Sequence, residues 1–181
     1  MSIIPHGGVA PASPVKYDPL SRTLHWVFAA IIIYTMIGGI SLHIITNHAL
    51  LHFVSTLNMS LASCLFVLFP IRYLWTFFRS EPAEIESIPA TQRSIAHAVH
   101  SLIYALVALV LVSGFVMVPD GYPLFGLFYI HTPFSEGTIT QHWFQIHRIC
   151  CYALLVLVVL HAGAALKHHL VSKNGVLKKM L

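Results

Sequence analysis

Apolar positions along this chain do not alternate with polar ones. They run almost unbroken through four stretches, about Leu24 to Ile45, Leu51 to Phe78, Ser94 to Val118 and Trp143 to Leu166. Each reaches the roughly 20 residues that a helix needs to cross a bilayer. Continuous runs predict spanning helices and argue against a β-barrel, whose strands alternate with period two. Pro70 falls inside the second stretch, where it can kink a membrane helix without ending it. Two polar connections stand out. Ser80 to Gln92 carries Glu81, Pro82, Glu84, Glu86 and Pro89, and Pro119 to Gln141 is long enough for a short interfacial helix or a cap over one face. The expected fold is all-α, a transmembrane four-helix bundle over residues 17–181 behind a flexible N-terminal segment, residues 1–16. That segment has neither a basic n-region nor an apolar h-region, so the first span is expected to direct insertion itself.

Composition agrees with the pattern. Of 181 residues, 57% are hydrophobic and 9% charged, against about 25% charged in ordinary soluble domains. The basic residues are distributed unevenly. Lys16 and Arg22 precede or open the first span, Arg79 and Arg93 bracket the second connection, and Lys167, Lys173, Lys178 and Lys179 follow the fourth; the first and third connections have no Lys or Arg. The positive-inside rule then puts both termini and the second connection on the cytoplasmic side. This asymmetry accounts for the pI of about 9.1, and nucleic acid is not an expected partner. All six Asp and Glu lie outside the spans, which disfavours a proton or metal transporter built on intramembrane carboxylates.

Ionisable groups inside the spans are the candidate chemistry, and they are histidines: His25, His97, His100, His147 and His161. His147 and His161 lie on one helix, almost four turns apart, so their rings share a face at a separation of roughly 21 Å. One ring is therefore expected near each side of the membrane, His161 and His25 at the inner face and His147 at the outer. Imidazole is the usual axial ligand of haem iron, and bundles build cofactor sites from facing helices. Ala162, Gly163, Ala164 and Ala165 after His161 permit close approach of a macrocycle, or simply of another helix. His97 and His100 share a face of the third helix, placed for propionate or quinone contacts, and His168 and His169 sit at headgroup level. Cys64, Cys150 and Cys151 form no metal-binding spacing and read as small core residues. No C-x-x-C-H sequence is present, so a haem here is expected to be held by coordination and packing alone.

These residues together resemble the prokaryotic cytochrome b561 family: Tyr17 and RTLHW at the first helix, Arg72 late in the second, AHAVH in the third, IHR at the start of the fourth and LHAGAALKHH at its end. The resemblance runs from Tyr17 to Leu181. It implies a quinone-linked cytochrome of the bacterial inner membrane with two b haems, the inner one on His25 and His161, the outer one on His147 and a histidine of the second helix. It also implies a quinone site near the inner face, with His168 as its best-matching contributor. The chain departs from the family at the outer site, because Asn58 occupies the position of the second-helix histidine. Three readings follow. A recruited histidine, His52 or His43, completes the site; or the outer iron is five-coordinate on His147; or the outer haem is absent, so that one haem b rather than two is bound.

The function implied is electron transfer across the membrane between a periplasmic reactant and the quinone pool. Some family members are regarded as superoxide oxidases, and Arg148 is the basic residue available in the outer half to attract an anion or pair with a propionate. The alternative is a haem-bearing anchor subunit that takes electrons from a periplasmic dehydrogenase or hydrogenase partner. The aromatics Tyr122, Phe125, Phe128 and Tyr129 of the third connection offer a docking platform for such a partner, and suit the lipid interface equally.

Overall fold

The computed structural model describes residues 15–181 except Glu86; the expected flexible segment lies almost wholly outside the described residues. Four helices, all long and apolar enough to span a membrane, make up the fold: α1 Pro19–Ser41, α2 His48–Trp75, α3 Ala90–Val116 and α4 Thr138–Leu170. Helix α1 begins five residues earlier than its apolar run suggests, and the reason is local. Asp18 caps it, Oδ1 accepting from the Ser21 backbone N–H at 2.9 Å, and Pro19 stands where a missing N–H costs nothing. Asp18 Oδ1 also accepts from Trp75 Nε1 at 3.2 Å, tying the start of α1 to the end of α2. Burial opposes the charge of this carboxyl, but the donors from Ser21 and Trp75 outweigh it and hold Asp18 below its ordinary carboxylate range. Asn47 caps α2 in the same way, accepting from Leu50 N–H. Pro70 lies within α2 without ending it.

Helix α1 packs on α2, α2 on α3, and α3 on α4, whereas α1 and α4 make no comparable backbone approach. A shared core of Phe28, Leu65, Val107, Leu111 and Leu154 draws on all four helices. Many other large apolar side chains face outward, among them Phe77, Val159 and Leu160, as expected where the surrounding solvent is lipid. Helix α4, at 33 residues, is about 50 Å long, so both its ends project beyond a hydrocarbon core of about 30 Å.

The third connection holds no interfacial helix among the described residues; of the two forms expected it takes the cap, as a two-stranded antiparallel hairpin, β1 Tyr122–Leu124 paired with β2 Phe128–Ile130. Gly121 explains the choice, since its positive φ suits a turn and a Cβ there would lie 2.0 Å from the Ile130 carbonyl oxygen. The hairpin is fastened to α2: the Phe125 N–H donates to Ser60 Oγ at 2.7 Å, and the Tyr122 hydroxyl bonds to Ser63 Oγ. Ser60 is fully buried. Ser60→Ala is expected to cost about 1–3 kcal/mol by stranding that N–H, seen as a lower Tm in detergent and faster proteolysis near Gly126.

The face where α1 begins and α4 ends carries a feature the apolar pattern did not announce. Beyond α4 the chain folds back beneath the start of α1, where the Trp26 indole N–H donates to Met180 O at 2.8 Å and Arg22 to Leu181 O at 2.6 Å. Lys179 Nζ reaches Ala83 O at 2.7 Å, pinning the same segment to the α2–α3 connection.

Candidate functional site

Where α1 and α3 begin and α2 and α4 end, each helix contributes one or more polar side chains to a common cluster. His25 comes from α1, Arg72 from α2, His100 and Tyr104 from α3, and His161 from α4. The His25 and His161 rings stand with centroids 6.3 Å apart and planes at 67°, between the two helices whose backbones do not approach closely. The His100 ring is 5.0 Å from that of His161. Arg72 Nη2 donates to His25 Nδ1 at 3.3 Å, and its guanidinium lies over the rings of Phe28 and Tyr104 at 5.2 and 5.7 Å. His97, one turn from His100 toward the helix start, is exposed. Nothing lies within 4 Å of the position a Cβ would take on Gly163.

His168 is more tightly placed than its sequence position suggested. Asn174, on the returning C-terminal segment, donates from Nδ2 to His168 Nδ1 at 2.8 Å. A neutral His168 ring that accepts at Nδ1 carries its proton on Nε2 and is a donor there.

Toward the opposite end of the bundle His147 lies against α3. Its Nδ1 is 3.1 Å from both the Val110 carbonyl oxygen and Ser113 Oγ, and its Nε2 is 3.4 Å from Cys151 Sγ, a neighbour the sequence reading had assigned only to packing. Gly114 makes this approach possible, because a Cβ at that position would stand 3.1 Å from His147 Cε1. Asn58 turns toward α1, where a Cβ on Gly38 would lie 3.0 Å from its Oδ1. That oxygen is buried and has no hydrogen-bond partner among the described residues. His43 and His52 are both exposed, and no ring contact joins either to His147 among the described residues. Arg148 is exposed and makes no ion pair there. Of the hairpin aromatics, Tyr122 is buried, whereas Phe125, Phe128 and Tyr129 are exposed.

Two clefts lie apart from this cluster. One of about 480 Å³ is lined by Arg22, Trp26 and Met180 on the flank of α1, and one of about 320 Å³ by Met117, Gln141 and Phe144 near the start of α4. Neither is lined by a histidine.

A four-helix membrane bundle with histidines facing one another inside it defines a class, the integral membrane cytochromes. The family model for prokaryotic cytochrome b561 matches residues 16–181, and the chain belongs to that family. It is a b-haem electron-transfer protein, multi-pass in a bacterial membrane. Among similar proteins is cytochrome b561 homolog 2 of Escherichia coli strain K12, 30% identical over 176 residues that cover 93% of each chain.

Proposed function

We propose that the chain passes electrons between a reactant at the periplasmic face and quinone at the cytoplasmic face, through a haem b held by His25 and His161. The separation of those two rings carries the reading. Imidazoles bound on opposite sides of one metal ion, at about 2 Å per metal–nitrogen bond, leave their centroids about 6 Å apart. The observed 6.3 Å fits. The 5.0 Å between His100 and His161 is too short for that role, so His100 stands beside the pair, with His97 farther toward the surface, for propionate or quinone contacts. The gap between α1 and α4 offers the slot a flat macrocycle needs. His25 and His161 would hold the haem, which would supply reversible one-electron chemistry when bound.

Quinone reduction consumes two electrons and two protons, so the protein must deliver single electrons twice while the protons come from water at the inner face. His168 fits as a hydrogen-bond donor to a quinone carbonyl, because a neutral ring that accepts from Asn174 at Nδ1 carries its proton on Nε2. Basic residues at both ends of the described chain and in the α2–α3 connection support cytoplasmic termini. Superoxide, losing one electron to become dioxygen, suits the outer reactant; a docked dehydrogenase or hydrogenase is the alternative donor. Reduction of a quinone by superoxide with the purified chain alone tests the whole reading. Quinone reduction that requires an added dehydrogenase would favour the anchor role instead.

The quinone contact has its own test. His168→Leu is expected to slow quinone reduction at least tenfold while leaving the haem spectrum intact, and Asn174→Ala to slow it less by freeing the ring. Unchanged turnover in both assigns His168 to the solvated surface.

For the outer site we infer a second haem on His147 alone, with its opposite coordination position open. A ligating imidazole usually donates its second N–H to a carbonyl, and His147 Nδ1 is within hydrogen-bond distance of Val110 O. The exposed His43 and His52 give recruitment little support, and an unpartnered Asn58 amide oxygen is no substitute for an imidazole.

A further inference from the structure

Among the described residues, Arg72 is a cation with no carboxylate to answer it. All six Asp and Glu of the chain lie outside the spanning helices, and the ion pair found among the described residues joins Arg93 to Glu84 at the surface. Arg72 belongs to α2, three residues before its inner end. An arginine so placed ordinarily extends toward the headgroups, leaving its charge in water. This one turns inward. Its guanidinium lies between Phe28 of α1 and Tyr104 of α3, and Arg72 Nη2 donates to His25 Nδ1 at 3.3 Å.

That bond does not survive the proposed chemistry of His25. An imidazole that coordinates through Nε2 carries its proton on Nδ1, where it donates and no longer accepts. Coordination therefore frees an Arg72 N–H, in an interior with no protein anion to take it. Guanidinium pairs best with a planar carboxylate, through two parallel hydrogen bonds. The haem itself brings two carboxylates.

Resting on the reading that His25 and His161 hold a haem, we infer that Arg72 is the intramembrane counter-ion of one haem propionate, and that it selects a porphyrin with free carboxylates over an esterified one. The arrangement makes the site incomplete without its cofactor in a second sense. Iron satisfies the two imidazoles, and the propionate satisfies the arginine. The aromatic rings of Phe28 and Tyr104 hold the guanidinium in place in the meantime.

The test compares haem b with its dimethyl ester, which offers the same iron and macrocycle but no carboxylate, by titrating each into the full-length apoprotein in detergent. The unsubstituted chain is expected to bind free haem at least tenfold more tightly than the ester. In Arg72→Met that preference should fall toward unity, chiefly by loss of affinity for free haem, and Arg72→Lys should recover part of it. A purely structural role for Arg72 weakens both porphyrins equally and leaves the ratio unchanged, which overturns the inference. Should Arg72→Met take up neither porphyrin, the unsubstituted chain decides: equal affinity for haem and ester likewise overturns it. His25→Ala separates this failure from failure of the underlying reading. If His25 and His161 are not ligands, His25→Ala binds both porphyrins as the unsubstituted chain does.

Discussion

His161→Ala is expected to lower the haem-to-protein ratio by one and to remove the low-spin spectrum of a bis-imidazole iron. His25→Ala should do the same, because each ring is half of one coordination pair. Replacing a residue that only orients a metal ligand typically costs 10- to 100-fold in affinity or activity; losing the ligand itself should reduce electron exchange with quinone at least hundredfold. The informative control is His100→Ala. It removes a ring closer to His161 than His25 is, 5.0 Å against 6.3 Å, yet should leave the haem content unchanged. If His100→Ala loses the haem while His25→Ala keeps it, the ligand pair is misassigned and lies between α3 and α4. None of these histidines belongs to the core of Phe28, Leu65, Val107, Leu111 and Leu154, so the bundle should survive all three substitutions.

Much of this site was legible before any coordinates, for a reason specific to membranes. A polar residue in an apolar run is expensive, so the few that occur stand out, and helical periodicity then gives their depth. The matching depth of His25 and His161 followed from that, and the resemblance to the family implied their pairing. The spans were legible too, although their ends were not, because Asp18 and Asn47 act through capping bonds that an apolar pattern does not register. What the pattern could not show was contact made by irregular chain. Asn174 reaches His168 only because the segment after α4 turns back under α1, held by carbonyls of Met180 and Leu181. The hairpin was likewise hidden, since two strands of three residues are too short to show a period. Gly121 and Gly126 were its available signal. Arg72 was visible as a matching position, but its inward aim depends on Phe28 and Tyr104, which lie on two other helices.

The level of the bundle that holds His147 and Asn58 is expected to differ in its chemistry from the level that holds His25 and His161. With His147 as the one protein ligand of the outer iron, carbon monoxide should bind the reduced protein at one haem per chain, and cyanide the oxidised one. The inner haem should resist both, having no free position. Asn58→His should convert the outer iron to a low-spin form and abolish carbon monoxide binding. Asn58 already lies close against Gly38, so the larger ring must turn away from α1 to reach that iron. His147→Ala should remove the ligand-binding haem and leave the inner spectrum intact. Two outcomes would contradict open coordination, and each points elsewhere. Two haems that both ignore carbon monoxide require a recruited ligand, with His52 and His43 the first to be replaced. A single haem untouched by His147→Ala means that the bonds from His147 to Val110, Ser113 and Cys151 only pack α4 against α3, and electrons must then enter the inner haem without an outer relay.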